Sequence, residues 1–203
     1  MAIAAILTAD IVNSTLVQPQ QQKKLVRTIA TVLKDQKLEF YRGDSFQANI
    51  KDPRIALELV LKIRAAAKSS STALDVRASI GIGNIPSRVT DLRTSTSEAF
   101  VLSGRGFDEL QSDSRLTITS NRNEANLALK VIALYCDFIF RGLTSKQAAV
   151  LFELLQRSTQ VEIAKKLKKS QATVNRHAQS ASWADLKMIM DQYEKIITHF
   201  HLS

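Results

Sequence analysis

Two sets of residues in this sequence have the types and the spacing to do chemistry. The first lies in residues 159–180, TQVEIAKKLKKSQATVNRHAQS. Read as two short helices joined by a tight turn, this stretch shows Gln171, Ala172, Thr173, Asn175, Arg176 and Gln179 on the outside of the second helix. Amide, hydroxyl and guanidinium groups in such an array read base edges and hold phosphates. Ser170 caps that helix through its hydroxyl, and Lys165 and Lys169 beside it are placed for backbone phosphates. The second set is Asp10 and Asp44. Paired carboxylates are hard oxygen ligands that hold Mg²⁺ or Mn²⁺, with a nucleotide phosphate completing the shell.

The first set needs a helix pair that crosses closely. Ala164 keeps the first helix thin at the crossing, and Ile163, Leu167 and Val174 are spaced to share a small core. That pattern predicts a helix-turn-helix. Lys168 stands where a glycine often makes the turn, and a left-handed backbone there costs a lysine about 1–2 kcal/mol. The run KKLKK is either a solvated helix face or a phosphate-holding one. Residues 143–157 predict the preceding helix, with Thr144 as its N-cap. An amphipathic helix over 183–200 follows, with Trp183 anchoring it. His177 is read as a surface contact, and His199 and His201 lack the partners of a zinc site. A three-helix protein-interaction module is the alternative for this part.

The second set needs a sheet. Residues 3–9, IAAILTA, predict a buried strand. A helix follows over 18–33, with Pro19 in its first turn. Residues 37–42 and 45–50 predict a hairpin about the Gly43-Asp44 turn. A helix over 53–68 and a strand over 75–84 complete the order β-α-β-β-α-β. The fold class expected is therefore α+β, with a four-stranded antiparallel sheet carrying helices on one face, the ferredoxin-like plan. Asp10 ends the first strand and Asp44 sits in the turn of the hairpin beside it, so the two meet at one edge of the sheet. Residues 89–97 read as a polar loop, 98–111 as a helix, 115–119 as a strand and 124–138 as a helix. Arg141-Gly142 breaks that helix. The expected domains are 1–138 and 139–203, the second small and all-α. Gly81 and Gly83 are expected to face a close backbone or ligand. Gly104 and Gly106, flanking Arg105, mark either packing on the sheet or close approach to a phosphate.

The totals narrow the class of partner. The net charge is +9, and residues 139–203 hold 10 Lys/Arg against 5 Asp/Glu, while the first 138 hold 18 against 14. Positive charge is densest around the helix pair, as a nucleic-acid reader requires. No apolar run reaches the roughly 18–20 residues that span a bilayer, and the apolar start carries Asp10 and no basic leader, so it reads as a strand rather than a signal peptide. The single cysteine, Cys136, fits a core thiol in a reducing cytoplasm. No Ser/His/Asp or Cys/His nucleophilic set and no Walker-type phosphate loop is present.

ADIVNST, RGDSFQA and VRASIGIG, in that order, resemble the motifs of class III nucleotide cyclases. The likeness implies a palm-type domain with metal aspartates at Asp10 and Asp44, Gly43 beside a nucleotide, and Arg105, in SEAFVLSGRGFDEL, on a triphosphate. It departs at two positions: Phe40 stands in place of an adenine-reading lysine and Val101 in place of a transition-state asparagine. Neither supplies a hydrogen bond, and loss of one preorganised donor costs about 2.7–4 kcal/mol. Over nearly the whole chain, GDSFQANI, RASIGIGNI, SEAFVLSGRGFD and LTSKQ…EIAKKLKKSQATVNRHA resemble the SatD family. These are small bacterial proteins joining a cyclase-like part to a C-terminal helix-turn-helix. The resemblance implies a cytoplasmic transcriptional regulator that binds double-stranded DNA as a homodimer, its N-terminal part sensing a ligand or pairing the subunits. The rival expectation is a metal-dependent nucleotidyl cyclase or other phosphoryl-transfer enzyme using Asp10 and Asp44.

Overall fold

The computed structural model describes residues 2–41, 43–86, 91–92 and 95–203. Strand β1 (Ala2–Val12) runs through the middle of a five-stranded sheet ordered β2-β3-β1-β4-β5. It pairs antiparallel with β3 (Ser45–Ile50), where Asp10 opposes Ser45, and with β4 (Asp75–Ile85), where Asp10 opposes Arg77. Strand β2 (Lys37–Tyr41) extends the hairpin.

The fifth strand corrects the expectation of four antiparallel strands. β5 (Leu116–Ser120) pairs parallel with β4, Ala78 opposing Leu116, so the sheet is mixed. Parallel neighbours need a crossover connection, and helix α3 (Glu98–Asp108) supplies it. Helices cover both faces rather than one. Ala5, Leu7, Ala9 and Ile11 of β1 pack with α1 (Pro19–Val32) and α2 (Ala56–Ser70), while Ala4 and Ile6 pack under Ala99 and Phe100 of α3. A strand buried on both faces is an unbroken apolar run rather than an alternating one, as IAAILTA is. Gly81 lets α3 sit on β4: a Cβ there would run into the backbone of Ala99 and Ser103. The polar loop expected over 89–97 lies partly outside the described residues.

Helix α4 (Asn123–Arg141) packs on β5 and ends at Arg141, three residues beyond the expected 138, with Gly142 as its C-cap. Then come α5 (Ser145–Leu155), α6 (Gln160–Leu167), α7 (Gln171–Ser180) and α8 (Trp183–His199). Leu151 and Leu155 of α5 and Leu186, Tyr193 and Ile197 of α8 join the buried cluster that underlies the sheet. The Tyr193 hydroxyl donates to the Pro53 carbonyl at 2.8 Å, and burial pushes that phenol well above its ordinary value. No helix among the described residues is long and apolar enough to cross a membrane.

Candidate functional site

Local capping builds the α6–α7 pair. The Thr159 hydroxyl accepts from the Glu162 N–H, and the Glu162 carboxylate accepts from the Thr159 N–H at 2.7 Å, a reciprocal capping box. Helix α6 stops at Lys168, whose φ of 51° is left-handed. The Lys169 N–H then closes onto the Ala164 carbonyl at 2.9 Å, and Ser170 starts α7 by accepting from the Thr173 N–H at 3.1 Å. Ile163 and Ala164 of α6 and Val174 and Ala178 of α7 pack on Val150 and Leu154 of α5, with Leu167 and Trp183 at the rim.

This packing turns one polar face outward. Gln171, Ala172, Asn175, Arg176 and Gln179 are exposed. Ser170 is also exposed but is committed to its cap, and Thr173 is half-buried with its hydroxyl 2.9 Å from that of Ser170. Of the KKLKK run, Lys166 is bound to the buried Glu153 at 2.8 Å and ties α6 to α5. Among the described residues no ion pair engages Lys165, Lys169 or Arg176. His177 is half-buried, and burial together with Lys169, Arg176 and Lys146 holds its pKa below the ordinary value. Positive charge therefore gathers on this face, with no aspartate or glutamate in α7 itself.

The second set meets at the sheet edge. Asp10 and Asp44 line one open cavity of about 470 Å³ together with Asn13, Ser14, Arg77 and Arg115. The turn is held there by the Ile11 N–H on the Asp44 carbonyl at 3.1 Å, and Gly43 takes a φ of 85° that disfavours any side chain. Asp10 Oδ2 pairs with Arg77 at 2.8 Å, and that guanidinium lies 4.4 Å over the Phe107 ring. Asp44 Oδ2 accepts from the Ser14 hydroxyl at 2.9 Å. Asp10 Oδ1 is buried and without a hydrogen-bond partner among the described residues, an orphaned acceptor of the kind that ligands or ions satisfy. Among the described residues no cluster of three or more His, Cys, Asp or Glu side chains gathers to hold a metal. Arg105 is exposed on α3 and does not line the cavity. Gly106 packs on the sheet, where a Cβ would come within 2.7 Å of Ser79 Oγ, whereas Gly104 faces open space.

Sequence reasoning missed Arg77, Arg115 and a buried network next to them. Arg64 of α2, 1% exposed, binds both Asp75 oxygens at 3.0 and 3.1 Å and Asp137 Oδ1 at 2.6 Å, with its guanidinium 4.6 Å over Phe140. Asp137 Oδ2 accepts from the Arg115 and Leu116 N–H groups. Burial opposes the charge on Arg64, but the two aspartates outweigh it and hold its pKa above the ordinary value. Asn13 and Arg115 line both the carboxylate cavity and a smaller one, about 300 Å³, beside this network. No protein-family model matches the chain, and no curated protein matches it.

Proposed function

We propose that this chain is a DNA-binding transcriptional regulator with α7 as its recognition helix. The observation that carries the reading is the α6–α7 pair: two short capped helices turning at a left-handed Lys168, apolar toward α5, polar and cationic outward. A helix of that size and polarity suits the major groove of double-stranded DNA. Residues 139–203 are the reading part in this proposal, and 1–138 are the part that senses a ligand or pairs subunits. Strands β2, β3, β1 and β4, antiparallel throughout with α1 and α2 on one face, support a ferredoxin-like, palm-type origin for the latter. The SatD resemblance points the same way.

The test is titration of a selected duplex by fluorescence anisotropy. Arg176→Ala weakens the preferred site by about 1–3 kcal/mol if the side chain reads a base. Lys165→Ala and Lys169→Ala weaken all duplexes alike and flatten the salt dependence. Unchanged affinity in the Asn175→Ala, Arg176→Ala double variant would remove α7 from the interface.

One observation favours a second reading, a phosphoryl-transfer site: the orphaned Asp10 Oδ1 in the cavity shared with Asp44. Mg²⁺ or Mn²⁺ bound by these two carboxylates would supply charge stabilisation to a nucleotide phosphate. The fit is partial, because Arg77 already neutralises Asp10. Phe40 packs against Phe46 with ring centroids 5.4 Å apart, and Val101 offers no donor. Purified protein with Mn²⁺ and ATP or GTP therefore forms no cyclic nucleotide above background. Robust product that vanishes in Asp44→Ala would promote the enzyme reading to first place.

A further inference from the structure

Helix α4 turns its inner face to the core through Ala125, Leu129, Ile132, Ala133, Cys136 and Phe140. Its outer face is apolar as well. Leu127 is 75% exposed, Val131 58%, Leu134 55% and Phe138 72%. Tyr135 adds a ring to this face, 6.4 Å from that of Phe138. The spacing of 127, 131, 134 and 138 is four, three, four, the repeat of a seam between two helices. Three residues beyond either end on the same line stand Glu124 and Arg141, both exposed, and neither has an ion-pair partner among the described residues.

The arrangement is symmetric about a point between Ile132 and Ala133, close to the helix midpoint. A two-fold axis there sets Val131 against the partner's Leu134, Leu127 against the partner's Phe138 and Glu124 against the partner's Arg141. A parallel pair would instead set Glu124 on Glu124 and Arg141 on Arg141, and like charges repel. An isologous contact needs a patch that complements itself, and this seam does so in its apolar spacing and in charge. We infer that α4 pairs antiparallel with α4 of a second copy of this chain, making the dimer that a reader of two half-sites requires. The inference takes from the preceding section only that the protein acts as a pair. DNA binding is measured separately, so either can fail alone.

Sedimentation velocity of the full chain tests it. The wild type runs as a dimer. Val131→Glu and Leu127→Lys, both at exposed positions, run as monomers with unchanged helical circular dichroism. Glu124→Arg and Arg141→Glu each raise the dimer dissociation constant about threefold to tenfold, in line with surface ion pairs. The double variant Glu124→Arg, Arg141→Glu re-forms both pairs with reversed polarity and returns the constant toward the wild-type value. A wild type that stays monomeric to its solubility limit, or a Val131→Glu variant that dimerises as well as wild type, would overturn the seam. A double variant at least as weak as the singles would overturn its antiparallel register.

Discussion

The hydrogen bonds that shape α6 and α7 join residues three to five apart, Thr159 to Glu162, Ser170 to Thr173 and Lys169 to Ala164. Those that shape the cavity end of the sheet join residues 30, 67 and 73 apart: Ser14 to Asp44, Arg77 to Asp10, Arg64 to Asp137. Both regions present charged side chains at a surface, but they hold them by opposite means. The helix pair is set by local bonds and a small apolar core. The cavity end is set by charge contacts, partly buried at Asp10 and fully buried at Arg64, that only the finished fold brings together. Damage to the first should therefore be shallow and local, and damage to the second deep and global.

The largest effect is expected at Arg64. Arg64→Ala leaves Asp137 buried without its cation and Asp75 with only the Lys68 ammonium, 3.6 Å away, and breaking a buried pair from one side costs about 3–5 kcal/mol. Urea denaturation measures it directly. Replacing Arg64, Asp75, Asp137 and the buried Lys68 together by uncharged residues of similar volume recovers most of the loss, because the unpaired charge causes the damage. A loss below about 1 kcal/mol in Arg64→Ala, typical of a surface site, would erase the contrast between the two regions.

That contrast also decides what was legible in the sequence. The caps Thr144 and Ser170, the strand Ser45–Ile50 and the Gly43 turn follow from neighbours in the chain, and the structure has them where the residue pattern predicts. Arg77 lay inside a strand that the pattern identified, yet its role needed the register that puts it opposite Asp10. Arg64 and, one turn on, Lys68 lie on a mostly apolar helix face, and nothing local says which carboxylates will neutralise them. The parallel pairing of β5 and the second helical layer are likewise properties of long-range packing. The unbroken apolar run of β1 was a signal for burial on both faces, and Gly81 and Gly106 were signals for α3 lying close on the sheet.

Effects at the helix pair are smaller. Ser170→Ala removes the cap of α7 and costs about 1 kcal/mol, read as a lower thermal midpoint. It also weakens every duplex in the proposed reading, since α7 frays where it would enter the groove. Lys168→Gly goes the other way. It relieves a left-handed backbone that costs a lysine about 1–2 kcal/mol, less the extra chain entropy that glycine loses on folding. The expected gain is a fraction of a kilocalorie, with DNA binding unchanged. A lower midpoint for Lys168→Gly would mean that the lysine stem contributes packing that outweighs its strain.

The smallest effect compares a carboxylate of the helix pair with one at the end of the sheet opposite the cavity. Glu98 accepts from the Asn84 N–H and from the Asn84 and Asn121 side chains, joining α3 to the ends of β4 and β5. Glu162 accepts only from Thr159, inside its own capping box. Backbone hydrogen bonding holds both below their ordinary value of 4.5, through the Asn84 N–H for Glu98 and the Thr159 N–H for Glu162. A depressed carboxyl pKa contributes stability that is complete above the unfolded value and is lost as pH falls through the folded one. Urea midpoints should therefore decline below about pH 4.5, and Glu98→Gln should flatten that decline. Glu162→Gln keeps the capping box with an uncharged amide, so it isolates the charge. Because Glu98 bridges three elements that part together on unfolding, its variant should flatten the decline more than Glu162→Gln does. Equal flattening by the two would mean that the long-range bridge adds nothing beyond what one backbone N–H supplies.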